Sequence, residues 1–302
     1  MGRMVRSKKE FITMSQPVHV SIVPKGIHLD ASELTRVAAA INQQVQRDFG
    51  PIWNVHASVD AFTRVEDVPV ESWPIFITSK VEGAAGVHED KHGQPFALVE
   101  MASDWSLTVS HEALEMLADP FGRRLHAGPT LQQAVRLGVP QHRVRYLIEV
   151  CDPSEAAAFA YHTGGVLVSD FYTPAFFNPV ATPGARYSFS GAIKTPLTVL
   201  PGGYISWHDM VSDHWMQFRN FPDDQSSKPH VVDLSSNQVF EALRQQTSLR
   251  AAVDRVTRTP KLNATFKGAI ARSLKVRADS GRKAQVARAA FFEESIGALT
   301  KS

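Results

Sequence analysis

The chain has 302 residues, 43% of them hydrophobic and 21% charged, the make-up of a globular protein with ample apolar material for a core. A single cysteine, Cys151, excludes an internal disulfide framework and suits a reducing compartment. The net charge of +2 hides an asymmetry, because residues Arg250–Ser302 carry twelve Lys/Arg against four Asp/Glu and leave the remainder acidic.

Residues 1–16 are basic and lack the apolar stretch of a secretory signal, so they read as a disordered leader and the expected location is cytoplasmic. No run approaches the roughly 18–20 apolar residues of a transmembrane helix. Val18–Val23 alternates and is β-branched, as a first strand should be. Asp30 with Glu33 resembles a capping box, and Leu34, Val37, Ala38, Ile41, Val45 and Phe49 follow at helical spacing until Gly50-Pro51, where the helix is expected to stop.

Three strand-like runs come next, Val55–Phe62, Pro74–Val81 and Pro95–Glu100, with a polar turn GVHEDKHGQ over 86–94. The segment Ser106–Asp119 is then helical. Residues 121–145 read as a loop with one short helix, Thr130–Leu137, followed by β-like pieces YLIEVCDP, GVLVSDFYTPAFF, RYSFSGAI and GGYISWHDM. Asp223–Pro229 is a polar linker, and Asn237–Val256 and Gln285–Ala298 look helical. There is no internal repeat and no glycine-rich phosphate loop. The order suggests an α+β fold in which a mixed sheet packs on the second helix, with a β-rich continuation. The implied division is a leader (1–16), a main domain (17–222) and a basic helical C-terminal region (230–302).

The helix containing SHEALEMLADP carries the chemistry. At about 100° per residue, with His111 at zero, Glu115 falls near 40°, Asp119 near 80° and Glu112 near 100°. Ala113, Leu114, Met116, Leu117 and Ala118 fill the rest of the circle with apolar side chains. A helix this apolar elsewhere is buried, so its polar stripe faces a cleft. Carboxylates crowded on such a stripe repel one another unless neutralised, and a divalent cation does that economically. In H-E-x-x-H metalloproteases the i and i+4 residues bind zinc and the intervening Glu is the general base. By position His111 and Glu115 are then ligands of Zn2+ or another divalent cation, and Glu112 is the catalytic base. Asp119, next to Pro120, ends the helix.

The missing ligand falls to Glu149 or Asp152, two acids that flank Cys151 after the apolar YLI; Cys151 itself reads as buried and inert. Asp170 reads as a turn or supporting residue. His88 and His92 lie in the polar turn and read as solvated. Tyr161, Tyr172 and His126 are candidate transition-state stabilisers. The strand Pro95–Glu100, just before the metal helix, is expected at a sheet edge where an extended peptide could add.

The pattern H-E-x-x-E-x-x-x-D-P over His111–Pro120, with the acidic box and cysteine at Glu149–Asp152, resembles metallopeptidase-like proteins bearing an H-E-x-x-E-x-x-x-[DN]-P signature. These include the plant phosphate-induced (exordium-like) proteins and uncharacterised bacterial relatives. The resemblance covers about Gln94–Phe177, under a third of the chain. It implies a zincin-like core and a zinc-dependent peptidase acting on a peptide or protein, with His111 and Glu115 as ligands, Glu112 as the catalytic acid-base residue, and Glu149 or Asp152 as the further ligand. Exordium-like proteins are secreted, whereas this chain shows no signal, and the basic tail has no counterpart in the motif region.

The tail interleaves Arg and Lys with apolar residues, which would suit an acidic partner or nucleic acid. A metal-stabilised binding or assembly protein is therefore the alternative to a hydrolase.

Overall fold

A computed structural model describes residues 17–81, 84–91, 93–221 and 228–257. The leader, His92, part of the linker and the expected helix 285–298 lie outside the described residues.

Strand β1 (Val18–Pro24) opens the chain, and Asp30 caps α1 (Ala31–Gln43) by accepting from the Ser32 and Glu33 N–H groups. The helix does not stop at Gly50-Pro51. It widens to π geometry over Gln44–Phe49, continues as α2 (Gly50–Trp53) and ends at Asn54, whose φ of 54° is left-handed. The wider turn makes room for the Pro51 ring, which in a regular helix collides with the carbonyl four residues back.

The first sheet adds β2 (Ala57–Ala61), β3 (Trp73–Thr78), β4 (Gly86–Lys91) and β5 (Gln94–Glu100), in the order β2-β1-β3-β5-β4. The first four in that order run parallel, and β4 is antiparallel to β5. Two expectations are corrected here. The stretch 86–94 is mainly strand, not turn, and Pro95–Glu100 is an inner strand paired on both sides, so the edge belongs to β4. Charged residues suit an edge strand, where one row of side chains can stay in water. They hid the strand from a reading based on apolar alternation.

Helix α3 (Trp105–Ala118) packs on β5 and β4, with Val109, Ala113, Leu114 and Met116 fully buried against a core that includes Ile75, Ile77, Ala97 and Val99. His88 stands opposite Ala97 in the β4–β5 register and therefore faces the same helix.

After α3 the chain forms β6 (Leu125–Pro129), the short α4 (Gln132–Val135) and β7 (Arg143–Leu147). A hairpin of β8 (Tyr161–Thr163) and β9 (Val166–Val168) packs against α3. Then come β10 (Tyr204–Asp209), β11 (His214–Arg219) and β12 (His230–Asp233), and β12-β11-β10-β7-β6 form a second, antiparallel sheet. RYSFSGAI forms only an isolated bridge, Tyr172 with Ser188. The result is a mixed α+β fold with several sheets.

Within 230–257, β12 completes the second sheet. The helix expected over 237–256 is two helices, α5 (Gln238–Leu243) and α6 (Leu249–Val256), separated by a break before the Ser248 cap. Phe240, Ala252 and Val253 pack on Leu147, Tyr204, Trp215 and Phe221, so this segment belongs to the body. No helix among the described residues is long and apolar enough to cross a membrane.

Helix α6 reaches back to the end of α3. The Arg250 N–H donates to the Gly122 carbonyl at 3.1 Å, and Gly122 has a φ of 58°. A Cβ on Gly122 would lie 2.6 Å from Arg250 Cβ and 2.9 Å from Ser248 Oγ. Gly122→Ala combines left-handed strain with this overlap and is expected to cost at least about 2 kcal/mol, measured as a lowered urea midpoint at unchanged slope.

Candidate metal centre

Helix α3 supplies His111, Glu112 and Glu115, and the irregular chain after β7 supplies Glu149 and Asp152. Glu112, Glu115, Glu149 and Asp152 are buried, and His111 keeps 13% of its side chain exposed. The arc computed from the sequence is thus realised, and it turns inward.

His111 Nε2 lies 3.3 Å from Glu115 Oε2 and 3.1 Å from Asp152 Oδ1. Ligand atoms set tetrahedrally at zinc distances of 2.0–2.1 Å are about 3.3 Å apart, so this spacing accepts such an ion. Asp152 Oδ1 has no hydrogen-bond donor, while Glu115 Oε1 accepts the Cys151 N–H at 3.0 Å, leaving Oε2 shared between His111 and Arg250. An imidazole nitrogen, two carboxylates and a backbone N–H that orients one of them form a donor set that zinc takes. Of the two alternatives for the third ligand, Asp152 groups with His111 and Glu115, whereas Glu149 pairs with Arg250 and belongs to neither group of ligand atoms.

That arginine was not anticipated as part of the site. Arg250, 2% exposed on α6, ion-pairs with Glu115, with Glu149 at 3.1 Å, with Asp152 at 2.9 Å and with Asp254 at 2.9 Å. Its Nη1–H donates to Asp152 Oδ2. A guanidinium thus shares the carboxylates that were assigned to a metal. Reading Arg250 as the start of a solvated basic tail missed it, although its i,i+4 partner Asp254 and the apolar Ala251, Ala252 and Val253 mark a buried helix.

His88 was also missed. It is 1% exposed, its Nδ1 is 3.5 Å from Glu112 Oε2, and its Nε2 donates to the Asp119 carbonyl at 3.1 Å. Gly86 permits the approach of β4 to α3, because a Cβ there would sit 2.4 Å from Glu112 Oε1 and 2.7 Å from Thr108 Cγ2. His88, Glu112 and Glu115 form a second set whose ligand atoms lie within 4.8 Å of one another, as His111, Glu115 and Asp152 do.

Electrostatics follow the geometry. Burial alone would raise the Glu115 carboxyl, but Arg250 and then His111 overcome it and hold it at about 2. Burial would lower His111, yet Glu115 leads the groups that raise it well above the usual range. Glu149 is pushed well up by burial, which Arg250 only partly offsets. Glu155 is likewise pushed up, by burial and then by Asp152. Burial raises the Cys151 thiol, in keeping with an inert cysteine.

The remaining candidates have other partners. Asp119 accepts the Arg124 N–H at the end of α3, and Asp170 accepts from Ser190 N and Oγ. Tyr172 is buried and its hydroxyl accepts the Glu149 N–H, next to the cluster. The Tyr161 hydroxyl bonds to Asp48 and Gln44, and His126 stacks on Phe177; neither contacts the cluster.

Two expected outcomes test this network. Arg250→Met leaves four buried carboxylates without their guanidinium and should cost metal-free protein about 3–5 kcal/mol, read by urea unfolding in chelator, with part of the loss recovered on adding zinc. Asp254 is raised by burial, against Arg250, from 3.8 to about 7. The folded protein then keeps a proton that the unfolded chain has lost, so stability falls as pH rises from about 4 to about 7. Asp254→Asn should remove that residue's share of the slope, at most about 1.4 kcal/mol per pH unit, and leave the share of Glu149 and Glu155, in unfolding curves taken across the window.

Comparisons with protein-family models, curated proteins and solved structures find no match to this chain, so the function has to be argued from the site itself.

Proposed function

We propose that the chain is a zinc-dependent hydrolase, with a peptide or protein as the substrate class, built on a zincin-like arrangement of mixed sheet and metal helix. The observation that carries this is that Glu115 Oε2 and Asp152 Oδ1, from a helix and a loop far apart in sequence, lie 3.3 and 3.1 Å from His111 Nε2, with the ligand atoms of the three within 4.8 Å of one another. Three protein ligands are the complement of catalytic zinc sites, which keep a fourth position open. A bound zinc ion supplies Lewis acidity and brings the pKa of a water it holds toward neutrality.

The chain's own residues would do the rest. The Cys151 N–H fixes the Glu115 carboxylate. Glu112 Oε2, buried and without a hydrogen bond, stands in the general-base position one residue after His111. Arg250 can stay with Glu149, Asp152 Oδ2 and Asp254 when Glu115 turns to a metal, because it already pairs with all three. The H-E-x-x-E-x-x-x-D-P pattern and its resemblance to metallopeptidase-like proteins support the same reading.

A second reading has its own observation. Two cavities of about 530 and 420 Å³ are lined by residues outside the cluster, and His111 is only 13% exposed. Such burial favours a metal that stabilises a binding or assembly protein, whose basic tail would contact an acidic partner or nucleic acid.

Hydrolysis of an unfolded protein substrate separates the two. The enzyme reading expects cleavage that stops with chelator, returns with zinc and falls at least a hundredfold in His111→Ala and Asp152→Asn. Stoichiometric zinc, a melting temperature that drops on chelation and no cleavage would instead establish the stabilising role.

A further inference from the structure

We propose that a second divalent cation binds beside the first, held by His88 Nδ1, Glu112 Oε2 and an oxygen of Glu115. His88, Glu112 and Glu115 are 1%, 3% and 0% exposed, and their ligand atoms lie within 4.8 Å of one another.

The decisive point is which nitrogen of His88 carries hydrogen. Nε2 is 3.1 Å from the Asp119 carbonyl oxygen, and a carbonyl only accepts, so Nε2 is the donor. In the neutral ring Nδ1 then presents a lone pair. What it faces is Glu112 Oε2, 3.5 Å away, and neither atom has a hydrogen bond. Two buried lone pairs that face each other in this way repel unless positive charge lies between them. A second ring proton would provide it; so would a metal ion.

Two features favour the metal. A histidine whose far N–H donates to a backbone carbonyl is arranged as metal-bound histidines are, with its tautomer and ring orientation set. The third group, Glu115, also belongs to the His111–Asp152 set, and a shared carboxylate is what joins paired ions, which in two-metal hydrolases sit about 3.5–4 Å apart. One imidazole and two carboxylates suit zinc or manganese. Arg250 need not block it, since Glu149, Asp152 and Asp254 continue to hold the guanidinium when Glu115 turns away.

This assignment stands on His88 and Glu112 and can be separated from the His111 site. It also changes one role: Glu112, a free base in the single-ion reading, becomes a ligand. Loss of activity in Glu112→Gln is common to both, so the metal count decides. Full-length protein is stripped with chelator, loaded with Zn2+ or Mn2+, dialysed and analysed for bound metal, with near-UV circular dichroism as the folding check.

The proposal expects two equivalents in the wild type, one in His88→Ala, one in Glu112→Gln and one in His111→Ala. A wild type that binds a single equivalent, kept in both His88→Ala and Glu112→Gln, overturns the second site and leaves the first intact. A single wild-type equivalent that is lost in both and kept in His111→Ala upholds the His88 site and removes the other. No bound metal in folded wild type overturns both. The near-isosteric Glu112→Gln keeps the test valid if His88→Ala does not fold.

Discussion

Arg250 is in contact with four buried carboxylates, those of Glu115, Glu149, Asp152 and Asp254, and the centre of the molecule depends on that contact. Taking a carboxylate out of water costs several kcal/mol, and one guanidinium cannot repay that for four acids. The remainder falls on protons and on the two imidazoles. Glu149 and Asp254 are pushed upward by burial, while Glu115 is held low, at about 2, because Arg250 and His111 outweigh its burial. A cluster with this excess of acid gains from any further cation able to enter it, and that gain is the physical basis for assigning metal here.

The fold is arranged to make the cluster. Four parallel strands set a platform for α3, and the antiparallel β4 brings His88 against the same helix from the edge. The second sheet, through β7, leads the chain to Glu149 and Asp152, and α6 returns from the far end of the described chain to deliver Arg250 and Asp254. Elements that lie some 160 residues apart thus close on one another; the ion pair of Arg255 with Glu89 ties α6 to β4 on the outside. Stability and chemistry are therefore coupled, because removing any charged member unbalances the rest.

Much of this was legible in the sequence, and the misses have definite causes. The wheel of α3 showed an acidic stripe on an apolar helix, because helical periodicity is local and every position was visible. The acidic box at Glu149–Asp152 was legible as a partner for the same reason, although choosing Asp152 to meet His111 needed the turn after β7, which no pattern encodes. β4 was read as a turn because its edge charges obscure its alternation, and with it His88 was taken for a solvated residue. Arg250 was hidden by the basic tail around it: charge counted over a long window cannot tell a buried guanidinium from exposed ones. Proline chemistry predicted a stop at Gly50-Pro51, but the helix runs on to Trp53, because the π turn that absorbs the ring has no comparable signature in the sequence.

Metal binding on the His111 side requires that carboxylates now shared with Arg250 give way to an ion. Anomalous diffraction at the zinc edge, from crystals of full-length protein grown with zinc, tests it most directly. The expected result is an anomalous peak about 2.0–2.1 Å from His111 Nε2, in contact with Glu115 and Asp152, with the Arg250 guanidinium withdrawn from Glu115. A well-ordered cluster with Arg250 still against Glu115 and no anomalous peak at His111 would contradict it.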